Sequence, residues 1–308
     1  MKVPAPQGHS PGSFRSMLFV PATSREKLDK IAGFGSLPCI IDLEDSVALD
    51  LKHSAREAAA DRVGAATAAE RLWVRVNSLS SGLTAADIAA VARPGLQGIV
   101  VPKVEAADQL RDIAVLISGA ERQNGLAQGS LKLMATIETV LGLANARAIA
   151  KAVPRLERLG FGAADYSRDI GLEWPDPMGL SPTLEAAKIE IVVASRLAGL
   201  LPPDDGAYAR FRDGEGLRAE AQRSKHLGFG GKHAIHPDQV PIIEEVFRPS
   251  AQSLDRARRI VDAFMEAEAA GRAAVGLDGE MIDYPVVYRA MELLGIEPPG
   301  REAEPPAD

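Results

Sequence analysis

Residues 98–103 read Gly98-Ile99-Val100-Val101-Pro102-Lys103, a β-branched run that stops at a proline and a charge. A short continuous apolar run of this kind suits a parallel strand covered on both faces, where a half-exposed strand would alternate. The same pattern recurs along the chain. Besides 98–102, strand candidates lie at residues 16–21, 39–43, 72–76, 131–137, 156–162, 199–202 and 230–235. Segments of helical character separate them, for example 54–66, 106–120 and 217–227. Eight strand–helix units in series predict an α/β fold of the (β/α)8 TIM-barrel type, occupying residues 14–250. No Gly-x-Gly-x-x-Gly follows the first strand, so an open dinucleotide-binding sheet has no support.

The chain continues past the eighth unit. Residues 251–297 are expected to form a C-terminal helical arm, with one amphipathic helix at 253–271 and a second helical piece within 279–295. The Pro-rich ends, 1–13 and 298–308, are expected to be disordered tails. With 308 residues, 46% of them hydrophobic and 25% charged, the chain has an ordinary globular composition. A single cysteine, Cys39, excludes an intrachain disulfide and fits a reducing compartment, so the cytoplasm is the expected location. The net charge of −7 argues against a general nucleic-acid binder. Membrane insertion is not expected either: Glu190 and Arg196 interrupt the most apolar stretch, and the N-terminal residues hold no signal-like core.

In a barrel of this kind the active site lies at the C-terminal ends of the strands. Those ends are polar here: Asp42-Leu43-Glu44-Asp45, Arg75-Val76-Asn77, Pro102-Lys103, Ile137-Glu138 and Gly162-Ala163-Ala164-Asp165. Glu138 and Asp165 are two hard oxygen donors that suit Mg2+ completed by water and substrate. Asp42, Glu44 and Asp45 stand where they would support that site from behind. Strand-end carboxylates also cap helices, and that role stays open for each taken singly. Arg75, within an apolar strand, needs a partner: a substrate carboxylate, or an internal ion pair with Asp42 or Glu44. Lys103 reads as a cation of the mouth, because the surrounding carboxylates disfavour the neutral amine that a Schiff base needs. His233 and His236 do not read as a zinc pair, since positions i and i+3 of a strand face opposite sides. No Ser/His/Asp or Cys/His set points to a nucleophile.

As an ordered set, these segments resemble the citrate lyase β-chain-like family of acyl-CoA C–C lyases, which includes malyl-CoA and citramalyl-CoA lyases. The carrying motifs are Arg15-Ser16-Met17-Leu18-Phe19-Val20-Pro21, Asp42-Leu43-Glu44-Asp45-Ser46-Val47, Val74-Arg75-Val76-Asn77 and Val101-Pro102-Lys103. They continue with Ile137-Glu138-Thr139, Phe161-Gly162-Ala163-Ala164-Asp165-Tyr166, Gly231-Lys232-His233-Ala234-Ile235-His236-Pro237 and Gly279-Glu280-Met281-Ile282-Asp283. The resemblance implies that Glu138 and Asp165 bind Mg2+ and that Arg75 contacts the 2-oxo acid. It implies substrate contacts at Phe19, Lys30, Arg75, Lys103, Ala164 and Ile235. Asp283 resembles the family's C-terminal catalytic aspartate, delivered to a neighbouring subunit, which implies a homotrimer or homohexamer. One departure stands out: the first loop is Pro21-Ala22-Thr23-Ser24-Arg25, with Ser24 where the family often has an arginine that holds CoA.

The activity implied is Mg2+-dependent, reversible cleavage of a short 3-hydroxyacyl-CoA bearing a carboxylate into an acyl-CoA and a 2-oxo acid. Three alternatives stay open: a citrate lyase β-chain acting on a carrier-bound citryl thioester, a CoA-independent metal-dependent aldolase, and a non-catalytic acyl-CoA-binding member.

Overall fold

A computed structural model describes residues 15–175 and 181–298. The N-terminal tail, and all but the first residue of the C-terminal one, lie outside the described residues. Eight parallel strands follow one another around a closed barrel. They are β1 Ser16–Pro21, β2 Pro38–Asp42, β3 Arg71–Arg75, β4 Leu96–Val101, β5 Lys132–Ile137, β6 Leu156–Phe161, β7 Asp204–Asp205 and β8 Gly231–Ala234. Pairing of Ser16 with Lys232 and Met17 with His233 joins β8 to β1, so the barrel itself has no open edge.

The two-residue period of the strands sorts side chains between two environments. Cys39, Ile41, Val74 and Ile99 point outward into the large apolar layer beneath the helices. Met17, Ile40, Trp73, Val100 and Met134 point inward and form a separate cluster in the lumen. Gly98 makes room for Trp73, because a Cβ there would overlap the indole ring. Among the described residues no helix is long and apolar enough to cross a membrane.

Seven strands overlap their sequence-predicted positions. The seventh does not: the expected 199–202 is connection, and β7 is the pair Asp204–Asp205. Gly199 adopts φ +69 just beyond the helix Pro182–Leu197, a left-handed turn that ends the helix. Pro202 and Pro203 cannot donate ladder hydrogen bonds, so the regular strand begins only after them. The acidic strand is tolerated because both carboxylates are paired with cations. Asp204 accepts Nη1 of Arg158 at 2.9 and 3.0 Å in the lumen, and Asp205 accepts Lys232 Nζ at 2.6 Å on the outer side.

The chain divides into two compact units between Phe247 and Arg248. In the C-terminal unit the helix Ala251–Ala269 packs with a hairpin, β9 Val275–Leu277 and β10 Glu280–Ile282, and with the helix Tyr284–Leu293. The hairpin turns on Asp278 and Gly279, both at positive φ (51 and 82), the Asp-Gly chemistry of a tight two-residue turn. Arg256 and Arg259 hold Glu280 and Asp278 at 2.5 and 2.7 Å, tying the hairpin to the long helix. Asp283 is therefore set directly after β10, at the N-cap of the last helix, and its side chain makes no capping bond.

Gly98→Ala is expected to cost about 1–3 kcal/mol through overpacking against Trp73, measured as a lowered midpoint in chemical unfolding.

Candidate active site

Asp42 closes β2 and Arg75 closes β3, and the parallel register sets them side by side. The Asp42 carboxylate accepts Arg75 Nε at 2.6 Å and Nη2 at 2.8 Å, a two-pronged pairing. It also accepts the backbone N–H groups of Glu44 and Ser46 at 3.0 and 3.1 Å, which folds the loop back over the strand end. Burial pushes the Asp42 carboxyl up, but Arg75 and these donors outweigh it, leaving the group below the ordinary aspartate range. Arg75 lies with its guanidinium 4.8 Å from the centre of the Phe19 ring. Its Nη1 reaches Glu44 at 3.2 Å and Asp45 at 3.6 Å. Both sequence readings of the Arg75 partner as an internal ion pair are thus met, Asp42 first.

Lys103 follows β4 with φ at +50, an uncommon conformation for a residue with a side chain. In this conformation its backbone N–H donates to Glu138 Oε1 at 2.7 Å. Its Nζ lies 2.5 Å from Glu44, 3.4 Å from Asp45 and 3.5 Å from Asp165. Burial opposes the ammonium charge, but hydrogen bonding and attraction to Glu44 prevail and hold its pKa above the ordinary value. Lys103 is therefore a fixed positive charge and not a free amine. Lys52 donates to the carbonyls of Leu43 and Glu44 at 2.8 and 2.7 Å and anchors the acidic loop from below.

Glu138 follows β5 and is 3% exposed, and Asp165 sits in the first turn of the helix Ala163–Ile170. Burial and then repulsion from Glu44 push the Glu138 carboxyl up to about 8, against the pull of Arg75 and Lys103. Glu44 is raised as well, chiefly by burial, and its Oε2 is sealed without a hydrogen bond. At Gly162 a Cβ would collide with Glu138 Oε2, so the absence of a side chain there keeps space for this carboxylate. A cavity of about 720 Å3 opens over the group, with Phe19, Arg75, Glu138, Asp165 and Ile235 in its walls.

The chemistry of the donors suits a hard divalent cation. A carboxylate raised by burial and by Glu44, a second carboxylate beside it and an open cavity are what a bound cation would satisfy. Among the described residues no group of three or more His, Cys, Asp or Glu side chains could hold a metal ion by itself. The fit is therefore to a cation bound by two carboxylates and finished by water and ligand, the habit of Mg2+.

A model of the HpcH/HpaI aldolase/citrate lyase family matches residues 15–237. This chain belongs to that family. It is 37% identical over 281 residues to the citrate lyase subunit beta of Haemophilus influenzae, covering 91% of this chain and 95% of that protein. It is 34% identical over 288 residues to a (3S)-malyl-CoA thioesterase of Cereibacter sphaeroides, covering 93% and 95%. Among solved structures, the protein CitE of Mycobacterium tuberculosis in complex with magnesium, acetoacetate and coenzyme A has a TM-score of 0.74. That match has 29% identity and covers 92% of this chain and 98% of the other.

Ala164 and Ile235 are exposed on the cavity wall, and Lys30 lies at its rim in an exposed 2.6 Å pair with Glu26. Ser24 is the N-cap of the helix Arg25–Lys30, its hydroxyl accepting the Lys27 N–H at 3.4 Å. Arg25, the expected substitute cation, does not line the cavity, whereas Lys27 does. The three-residue spacing of Lys27 and Lys30 on one helix face was the available sequence signal. Lys52 and Gly162 also escaped the sequence reading, because their roles are a side-chain bond to loop carbonyls and clearance for the neighbouring strand end. Asp283 belongs to the other compact unit.

In metal-free protein, the raised Glu138 carboxyl binds a proton more tightly folded than unfolded. Its contribution to stability is full at low pH and is lost as pH rises from about 4.5 through about 8. Glu138→Gln keeps an acceptor for the Lys103 N–H, and it is expected to flatten this loss and raise Tm at pH 8. Melting curves in a chelator across that range check it; an unchanged slope contradicts the assignment.

Proposed function

We propose that this chain is a Mg2+-dependent carbon–carbon lyase of the acyl-CoA type. It reversibly converts a short 3-hydroxyacyl-CoA bearing a carboxylate, of malyl-CoA, methylmalyl-CoA or citramalyl-CoA type, into an acyl-CoA and a 2-oxo acid. The observation that carries this reading is the union, in one cavity, of the buried Glu138 and the half-buried Asp165 carboxylates, the Arg75 guanidinium and rim lysines. Cleavage breaks the bond between C2 and C3 of the acyl chain. The hydroxyl releases its proton to water in the site as its carbon becomes a carbonyl, and C2 leaves as a thioester enolate that must gain a proton.

Each residue supplies a separate part of that chemistry. Glu138 and Asp165 would hold Mg2+, which when bound supplies Lewis-acid polarisation of the oxo-acid oxygens. Arg75 neutralises charge on the oxygen where it changes during the reaction, and Asp42 keeps the guanidinium oriented without a search of rotamers. Lys103 offsets Glu44 and Asp45, so the acidic loop stays close without repelling an anionic substrate. Lys27 and Lys30 meet the CoA phosphates at the rim, in place of the loop arginine that Ser24 replaces. Asp283 exchanges the proton with the enolate carbon, as acid in cleavage and as base in condensation. It acts in the site of a neighbouring subunit, so the active form is a homotrimer or homohexamer.

The likeness to a (3S)-malyl-CoA thioesterase supports a second step, hydrolysis of the thioester after condensation. The likeness to a citrate lyase subunit beta supports a carrier-bound citryl substrate. Condensation followed by mass, with released thiol measured in parallel and free CoA thioesters compared with carrier-bound ones, separates the three.

Asp283→Asn is expected to abolish turnover while retaining Mg2+ and 2-oxo acid binding, and near-normal activity would end its assignment. Mixed oligomers of Asp283→Asn with Glu138→Gln protomers should regain activity that neither variant has alone. Lys27→Ala together with Lys30→Ala is expected to raise KM for the acyl-CoA about tenfold with kcat little changed. That penalty should shrink at high salt, as rim charges are screened.

A further inference from the structure

Two residues below the metal-site carboxylate, the barrel lumen holds polar groups that the reaction above does not use. Thr136 precedes Glu138 by two positions on β5, and Gly160 precedes Gly162 by two on β6, so both face inward about 7 Å deeper. A Cβ placed on Gly160 would stand 3.7 Å from each of His233 Cε1, Met134 Sδ and Thr136 Oγ1. The missing side chain thus leaves a small space bounded by an imidazole, a thioether and a hydroxyl. Thr136 and His233 both line the main cavity.

Neither polar group is spent inside the protein. Among the described residues no hydrogen bond engages the Thr136 hydroxyl or either ring nitrogen of His233, and of these atoms only His233 Nε2 is sealed from solvent. That nitrogen lies 3.9 Å from Asp204 Oδ2, which favours the N–H on Nε2 and leaves Nδ1 as an acceptor. The ring edge packs on Phe19 with centres 5.3 Å apart, which fixes the imidazole plane. Burial, with Lys232, Arg158 and Arg75 nearby, pulls the His233 pKa down to about 3, so the ring is neutral. The cation beside this floor, Arg158, is held by Asp204.

We propose that Thr136, Gly160 and His233 form a floor that selects the substituent R of the 2-oxo acid R–CO–COO−, favouring an uncharged hydroxyl-bearing group over a second carboxylate. This rests on the lyase reading, in which Glu138, Asp165 and Arg75 hold the carboxylate and carbonyl and the thioester enters past the rim lysines. The remaining group then points down the barrel. A hydroxymethyl there donates to His233 Nδ1 and accepts from Thr136 Oγ1. A carboxymethyl would bring a second charge out of water onto a floor of two neutral groups, where the adjacent Arg158 is already held by Asp204.

The test titrates Mg2+-loaded protein calorimetrically with glyoxylate, pyruvate, hydroxypyruvate and oxaloacetate, which differ only in R. Hydroxypyruvate is expected to bind about tenfold tighter than pyruvate, as one good buried hydrogen bond implies, and oxaloacetate more weakly than pyruvate. Thr136→Val should bring hydroxypyruvate to within about twofold of pyruvate and leave glyoxylate unchanged. Gly160→Ala, which fills the space at ordinary contact distance, should weaken pyruvate and hydroxypyruvate but not glyoxylate. Oxaloacetate binding as tightly as hydroxypyruvate, or a preference that survives Thr136→Val, would overturn the floor while glyoxylate binding keeps the lyase reading intact. Failure of glyoxylate itself to bind would overturn both.

Discussion

The pairing of Asp42 with Arg75 is the contact on which the rest of the mouth depends. It joins the ends of two adjacent strands at 2.6 and 2.8 Å, so its geometry is set by barrel register and not by a flexible loop. Asp42 uses its remaining capacity to accept the N–H groups of Glu44 and Ser46, and this brings the next carboxylates over the opening. Arg75 then touches Glu44 and Asp45 and rests on Phe19. One ion pair therefore positions a cation for substrate and an acidic loop around it. A buried pair of this kind adds little net stability against an apolar alternative. Its value is orientation.

The mouth carries more negative charge than its fixed cations neutralise. Glu44 and Glu138 are both raised above their ordinary range, with burial the first cause, while Lys103 and Arg75 restrain the rise. Such a cluster is unfavourable in isolation and becomes favourable with a divalent cation among the carboxylates. Stability surrendered at a site in this way is commonly linked to function. The backbone shares the cost: Lys103 stands at positive φ so that its N–H can hold Glu138.

The barrel interior has a polarity gradient of its own. Below the mouth, Met17, Ile40, Trp73, Val100 and Met134 fill one side of the lumen with apolar volume. On the other side β6, β7 and β8 contribute Arg158, Asp204 and His233, the first two locked together. The apolar side was readable from the continuous apolar runs of the strands. The polar side was not, because β7 is only Asp204–Asp205 and resembles a loop in any propensity-based reading. Its carboxylates become strand residues through Arg158, Lys188 and Lys232, which are 46, 17 and 27 positions away along the chain.

The sequence by itself determined the barrel and the inventory at its mouth. Runs such as Ile99-Val100-Val101 demand cover on both faces, and a charge just after each run falls at a strand end whatever the details of packing. Asp42, Arg75, Lys103, Glu138 and Asp165 were legible for that reason. Tertiary structure alone decided who holds whom. Ser24 became a helix cap, Lys27 joined Lys30 at the rim, Gly162 cleared space for Glu138, and Thr136 and His233 were left facing the cavity without a hydrogen bond among the described residues. Composition and periodicity record local preference and burial. Pairing, strain and unspent hydrogen bonds depend on distances between residues far apart in the chain, and only closure of the barrel sets those distances.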